Sequence, residues 1–574
     1  MSAEGEGPAP AKPLIVQSDQ TLLLEVENPL YESARSELGR FAELVKSPEH
    51  IHTYRITPLS LWNAAAGGMT ADLILESLAR YSRYSLPPNV IFEIREQTGR
   101  YGRITLEKRG EAYALAFREA ALAEEVWSHK DLRPLFTGRS GFEISLPGSS
   151  RGMVKHALTR AGYPVADLAG YVKGASLELS VRPLTAAGLP LALRAYQIDA
   201  AEIFHAGGSA AGGSGVIVLP CGAGKTLVGM AVMERVKTHT LILATGGVAV
   251  RQWRRELLDK TTLRPEDIGE YSGETKDIRP VTLATYNILT HRKSKAGDFT
   301  HFAIFDRLDW GLIIYDEVHL LPAEVFRATA NLQARRRLGL TATLIREDAL
   351  EADVFSLIGP KKYDAPWKDL ERQGWIAPAS CVEIRVALPE ERRMTYAVAP
   401  DREKFRIASE NPVKMDVVHE LLRRHKDDRI LVIGQFLDQL DRIASGYRLP
   451  IITGRTPLRE RERLFEEFRR GEIRTLVLSK VGNFSIDLPD ANVLIQVSGQ
   501  FGSRQEEAQR LGRVLRPKKG GGSARLYSVV SRATCEEDFA ANRQLFLTEQ
   551  GYAYEIVVDG ALYDPKTGVW MSQC

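Results

Sequence analysis

The sequence predicts an α/β protein made of two parallel, doubly wound sheets in tandem, preceded by smaller mixed α/β modules. Three observations predict it. From Leu193 onward, short buried runs alternate with helical stretches, and each run ends in a polar turn or a glycine-bearing loop. The pattern breaks near residues 375–390 and then restarts. The first run of the first set leads into Pro220-Cys-Gly-Ala-Gly-Lys-Thr226 and then a helical stretch. At 574 residues the chain is too long for one core and suits three or four domains of ~150 residues.

Residues 1–13 are rich in Gly, Pro and Ala and are expected to be disordered. A first accessory module is expected over 14–108, with a strand at Leu22–Val26. Thr57-Pro58 reads as an N-cap and first helical residue ahead of Leu59, Leu61 and Trp62. Met69-Thr70 opens a second helix with Leu73, Ile74, Leu75 and Leu78 on its apolar face. Arg103–Lys108 and Tyr113–Phe117 alternate about Gly110 as a hairpin. A small module over 109–185 includes a basic helix, Met153–Arg160. Neither module carries a catalytic constellation, and both read as interaction or DNA-contact modules without chemistry.

The first sheet domain is expected over 186–380, with strands at Val216–Leu219, Leu241–Ala244, Val281–Ala284, Leu312–Tyr315 and Leu338–Leu340. The Gly/Ser run Gly207–Gly215 reads as a surface loop. The second domain is expected over 381–574, with strands at Ile430–Ile433, Ile451-Ile452, Thr475–Leu478, Val493–Val497 and Arg525–Val529.

Hydrophobic content of 44% and charged content of 26% are those of ordinary globular protein. A net charge of +3 permits nucleic-acid binding through local patches without arguing for it. Cys221, Cys381, Cys535 and Cys574 are widely spaced, which excludes a zinc-type CxxC framework. No apolar run reaches the ~18 residues of a membrane span, and the acidic start is unlike a signal peptide. A cytoplasmic location is expected.

The loop Pro220, Cys221, Gly222, Ala223, Gly224, Lys225, Thr226 has what phosphate binding needs. Glycines let backbone amides close on phosphate oxygens, and the helix N-terminus adds positive potential. Lys225 would reach the β/γ-phosphates of ATP and Thr226 would hold Mg²⁺. Leu219 stands where the strict motif has its first glycine, and the bland alternative is a glycine turn with a solvated lysine. Asp316-Glu317 closes another apolar strand: Asp316 would hold Mg²⁺, and Glu317 would orient or deprotonate the attacking water. His319, Thr341 and Thr343 are candidates for linking the nucleotide site to the rest of the motor, against a structural histidine as the alternative. In Gln509-Arg-Leu-Gly-Arg-Val-Leu-Arg516, Gln509, Arg513 and Arg516 are candidate catalytic groups. The two arginines share a helix face and would act as fingers when the second domain closes on ATP. Arg194 and Gln197 are candidates for reading adenine, since an amide offers both a donor and an acceptor.

At Arg346-Glu347-Asp348, directly after Thr341-Ala-Thr-Leu344, the chain resembles the XPB helicase family of superfamily 2. The resemblance runs from about Arg194 to Tyr554. It covers Gly215–Thr226, Asp316-Glu-Val-His319 with Pro322-Ala323, and Leu357-Ile-Gly-Pro360. It continues through Lys480-Val-Gly482, Asp487-Leu-Pro489, Ala491–Ile495, Gly502-Ser-Arg504 onward to Arg516, and Phe546–Tyr552. It implies two RecA-like motor domains and ATP-dependent 3′-to-5′ unwinding or translocation of DNA in repair. Asp487 would join the nucleotide site, and Arg251, Gln252, Arg346, Glu347, Asp348 and Arg504 would meet DNA. Arg346–Asp348 is implicated in strand separation, and residues 153–180 resemble a damage-recognition module. The family's thumb-like insertion maps onto Arg392–Arg406 and is short here. Microbial relatives are expected to cooperate with a nuclease, although no nuclease motif lies in this chain. Three other readings remain open: a duplex translocase or ATP-driven switch, an RNA motor, and a DNA-binding scaffold with a vestigial ATPase.

Overall fold

A computed structural model describes residues 12–558 apart from 48–49, 111, 148–149, 221, 292–299, 322–331, 334, 343–350, 366, 480–490, 500–523, 550–551 and 553. The chain divides into two compact units: residues 1–219 with 224–365, and residues 366–574, with the tetrapeptide 220–223 assigned to the second.

The first unit opens on a four-stranded antiparallel sheet of order β1-β2-β4-β3. Its strands are β1 (Leu14–Val16), β2 (Thr21–Glu25), β3 (Glu43–Lys46) and β4 (Ile51–Arg55), with α1 (Tyr31–Leu38) between β2 and β3. Three helices follow: α2 (Pro58–Ala66), α3 (Ala71–Tyr81) and α4 (Pro88–Arg100). Thr57 caps α2 in a reciprocal box with Ser60, and Thr70 caps α3, as the sequence predicts. The last two residues of the tail expected to be disordered through residue 13 are held in place. The Lys12 ammonium donates to Ala79 O at 2.7 Å, and Pro13 O accepts from Glu25 N at 3.0 Å.

A five-stranded sheet of order β7-β8-β6-β5-β9 comes next. It comprises β5 (Ile104–Arg109), β6 (Ala112–Phe117), β7 (Gly138–Ser140), β8 (Glu143–Leu146) and β9 (Val165–Asp167), with α5 (Ala120–Ser128) and α6 (Arg151–Arg160). The boundary expected at 108/109 falls inside the β5–β6 hairpin, which pairs from Ile104↔Phe117 to Arg109↔Ala112. A module edge there would break a continuous ladder. The boundary expected at 185/186 also cuts a bonded stretch. Leu177 N, Arg182 N and Ala186 N donate to Lys237 O, Lys260 O and Asp259 O at 3.0, 2.8 and 2.8 Å.

The rest of this unit is a seven-stranded, all-parallel sheet of order β12-β13-β11-β14-β15-β10-β16. After α7 (Ala195–His205) the chain gives β10 (Ser214–Val218), α8 (Lys225–Val236), β11 (Thr240–Ala244) and α9 (Gly247–Lys260). Then come β12 (Ile268–Tyr271), β13 (Val281–Thr285), β14 (Leu312–Asp316), β15 (Arg336–Thr341), α10 (Glu351–Leu357) and β16 (Lys361–Asp364). Strands β10, β11 and β13 are buried at every residue, which is why they read as unbroken apolar runs. The surface loop expected at Gly207–Gly215 is only half right. Gly212 to Gly215 are buried, and β10 already starts at Ser214.

The second unit contains a matching seven-stranded parallel sheet of order β19-β20-β18-β21-β22-β17-β23. Its strands are β17 (Ala379–Val386), β18 (Ile430–Ile433), β19 (Ile451–Ile452), β20 (Thr475–Leu478), β21 (Val493–Gln496), β22 (Ala524–Ser531) and β23 (Tyr554–Val558). The segment matched to a thumb-like insertion forms two short helices, Glu390–Val398 and Asp401–Ser409.

Candidate nucleotide site

Strands β10 and β14 end on the same edge of the first sheet, separated only by β15. Ligands of open parallel sheets bind at such carboxyl edges. After β10 the chain turns through Gly224, whose φ of +84° is left-handed, and enters α8 at Lys225. A side chain at Gly224 is excluded twice: by that conformation, and by Gln197 Nε2, which would lie 2.5 Å from a Cβ. Leu219 N donates to Thr341 O at 2.9 Å, tying the start of the loop to the end of β15.

Lys225 and Glu317 meet across this edge, Nζ to Oε1 at 2.9 Å, with side chains only 12% and 16% exposed. Glu317 sits at φ +51°, ψ +55°, a left-handed conformation that a non-glycine residue rarely adopts and that costs ~1–3 kcal/mol. Its Oε2 is buried without a hydrogen-bond partner, and His319 Nδ1 stands 3.5 Å away. Nδ1 of the buried His319 lies 2.6 Å from Thr341 Oγ1. Asp316 Oδ2 accepts from Trp253 Nε1 at 2.9 Å, and Asp316 O accepts from the Tyr286 hydroxyl at 2.9 Å.

Burial, with the neighbouring Glu317 charge adding to it, pushes the Asp316 carboxyl up to about 6, against the Trp253 hydrogen bond and Lys225. Burial acts on Glu317 in the same direction. There, however, the Lys225 ammonium and His319 outweigh it and hold the carboxyl below its usual range. One carboxylate is thus kept ionised while its neighbour is poised near neutrality.

The structure brings together Lys225, Asp316, Glu317, His319 and Thr341, with Thr226 half-buried one residue into α8 and Pro220 buried at the loop's start. Gly222 and Ala223 complete the described loop, Ala223 N donating to Pro220 O at 3.1 Å. Gln197 is buried against this loop and is not solvated. Its Oε1 accepts from Arg194 N at 3.0 Å, closing the first turn of α7, and Arg194 Nη1 donates to the Tyr196 hydroxyl at 3.1 Å. On α9, Val250 and Trp253 turn inward, Arg251 is exposed and Gln252 is half-buried. Cys221, Thr343, Arg346, Glu347, Asp348, Asp487, Arg504, Gln509, Arg513 and Arg516 lie outside the described residues. Sequence reasoning assigned no role to Trp253 or Tyr286, the two groups that fix Asp316. Trp253 carries the signal of an indole N–H on a buried helix face, which needs an acceptor. Which acceptor it finds depends on β11 pairing with β14, and the sequence does not state that.

The donor set fits a magnesium nucleotide. A helix N-terminus without a side-chain cap, an ammonium, a hydroxyl and two clustered carboxylates, one with a buried unpaired oxygen, stand at one sheet edge. The fold, two tandem RecA-like domains, defines the class of two-domain helicase motors.

Residues 370–573 match the family model described as ERCC3/RAD25/XPB C-terminal helicase. Residues 190–346 match that of the type III restriction enzyme res subunit, and residues 14–140 match a helicase conserved C-terminal domain. The chain is 55% identical to a protein of Kineococcus radiotolerans named DNA 3′-5′ helicase XPB, over 96% of this chain and 98% of that one. A Mycobacterium tuberculosis protein of the same name is 54% identical, over 95% and 97%. The general transcription and DNA repair factor IIH helicase/translocase subunit XPB of Schizosaccharomyces pombe is 32% identical, over 96% of this chain and 76% of that one. The chain belongs to the XPB helicase family. Among the described residues no helix is long and apolar enough to cross a membrane.

Proposed function

We infer that this chain is an ATP-dependent DNA helicase that unwinds duplex with 3′-to-5′ polarity in DNA repair. The observation that carries the chemistry is the Lys225–Glu317 pair beside Asp316 at the carboxyl edge of the first sheet. In this reading Lys225 and the amides of 220–226 hold the phosphates, and Thr226 and Asp316 hold Mg²⁺, which when bound neutralises charge on the phosphates. Glu317 orients and deprotonates water, a role suited to a carboxylate kept ionised by its lysine. His319 and Thr341, already in contact, pass the state of the site toward residues 343–350. Gln509, Arg513, Arg516 and Asp487 are assigned to complete the site from the second motor domain, and Arg194 and Gln197 to flank the base. Arg251, Gln252, Arg346 and Arg504 are assigned to DNA phosphates, because a motor must step along any sequence. Arg346-Glu347-Asp348 is assigned to strand separation, and a nuclease is proposed as a working partner. The domain scheme proposed is an accessory region built on the four-stranded and five-stranded sheets, then two motor domains, each built on a seven-stranded parallel sheet.

The test is an ATPase and unwinding panel with single-stranded DNA, blunt duplex, forks of both polarities and RNA. Stimulation by DNA with unwinding only from a 3′ tail is expected. Stimulation by duplex without strand release would make the protein a translocase, and stimulation by RNA alone would overturn the assignment.

A further inference from the structure

Helix α6 is basic, and the sequence offers it as a DNA-contact element, yet the structure turns it into the first motor sheet. Arg151 and Lys155 are 1% and 5% exposed. Both bind Asp167 of β9: Arg151 Nη2 to Oδ1 at 2.7 Å, Lys155 Nζ to Oδ2 at 2.9 Å. Lys155 Nζ also donates to Gln333 Oε1 at 2.8 Å, just ahead of β15. On the same helix, His156 Nδ1, next to Lys155, stands 3.4 Å and Arg160 Nη2 3.3 Å from Asp353 Oδ1 on α10. The two contacted elements are themselves joined. Gln333 Nε2 and Arg337 Nε both donate to Leu357 O, each at 2.9 Å, so the entry to β15 meets the end of α10. Phe355 of α10 is also packed by Trp62 and Tyr101, with ring centroids at 6.3 and 6.4 Å.

One helix therefore holds α10 directly and β15 through Gln333, whose carbonyl accepts from Arg337, and these two elements flank the passage from Thr341 to Glu351. That passage begins at the residue in contact with His319. Coupling between two sites needs packed elements in a fixed relation, and α6 supplies that relation from outside the motor sheet.

We propose that α6 is a positioning element for unwinding: by clasping Gln333 and Asp353 it fixes β15 and α10, and so sets how much strand separation each ATP turnover yields. The accessory module thus acts on DNA opening through the motor domain, with its basic face engaged in protein contacts. The proposal rests on the helicase reading above.

The test uses Arg160→Glu in the full chain. Arg160 lies at the rim of the clasp, its side chain 57% exposed, so the fold survives the change while Asp353 is repelled. The expected result is DNA-stimulated ATPase with kcat and KM within about twofold of the parent, but forked duplex opened per ATP lowered about threefold or more. Amide exchange over residues 351–357 should rise in parallel. Arg160→Glu with Asp353→Arg restores the pair in reverse and should recover both readouts, which a merely destabilising change would not. Normal opening per ATP in Arg160→Glu, or failure of the reversed pair to recover it, overturns the proposal. If the parent itself does not unwind, the helicase reading has failed. The exchange measurement then decides: unchanged protection over 351–357 rejects the clasp.

Discussion

Replacing Glu317 by Gln separates the two roles that its contacts assign to it. The amide fills the same volume but cannot accept a proton from water, so hydrolysis should fall by ~10²–10⁴, the contribution of a positioned general base. Binding should move the other way. Lys225 is held by the Glu317 carboxylate at 2.9 Å in a largely buried contact, so the carboxylate competes with ATP phosphates for that ammonium. The amide oxygen can still accept from the Lys225 ammonium, but the attraction between opposite charges is lost, worth on the order of 1 kcal/mol. Replacing the carboxylate by an amide therefore releases about 1 kcal/mol of competition, and ATP should bind about fivefold tighter. Removing a negative charge next to the phosphates acts in the same direction. Titration with a fluorescent ATP analogue and single-turnover hydrolysis measure the two quantities on one sample. Turnover within about threefold of the parent would refute Glu317 as the base. Weaker ATP binding by a folded variant would refute the competition.

Gly224→Ala must place a Cβ at φ +84° and within 2.5 Å of Gln197 Nε2, so ATP affinity should drop by about tenfold or more in the same titration. Trp253→Phe removes the N–H that lowers the Asp316 carboxyl; its pKa should rise further above about 6, and the acid limb of the Mg²⁺-dependent pH–rate profile should move up with it. Arg513→Ala and Arg516→Ala should each lower kcat by ~10³ or more with little change in ATP Kd, because a finger contributes mainly in the transition state. Equal losses in both would indicate ground-state binding. Asp167→Asn leaves Arg151 and Lys155 buried without their carboxylate and should cost ~3–5 kcal/mol in a urea titration of the first unit. Burial lowers the Lys155 ammonium to about 8, so above that pH the unfolded chain holds the extra proton until about 10.5. The parent should therefore gain stability relative to Lys155→Met as pH rises through that window.

The sequence by itself determined the parallel sheets. Strands β18, β19 and β20 lie where the apolar runs end to the residue, and β18, buried at every position, has no polar position to blur its limits. It also made the glycine loop and the acidic pair legible, because the roles proposed for them depend on local order: strand, glycine turn, lysine, helix. Local signals reach as far as the caps on α2 and α3, since a cap bonds within three residues.

Tertiary structure alone decided what those residues touch. That Lys225 pairs with Glu317, 92 positions away, follows from β10 and β14 being placed one strand apart. Trp253 has no role assigned from sequence, and only the tertiary fold brings its indole N–H to Asp316 at the end of β14. The fate of α6 shows the same limit. A basic helix looks solvated in sequence because charge is normally exposed, and only the arrival of Asp167, Gln333 and Asp353 from three other elements makes burial affordable. Edge strands β12, β16 and β23 went unread for the related reason that half-buried strands of four or five residues carry too few apolar positions to stand out. Sequence order fixes which groups are available, and the pairing of distant strands fixes which of them share a site.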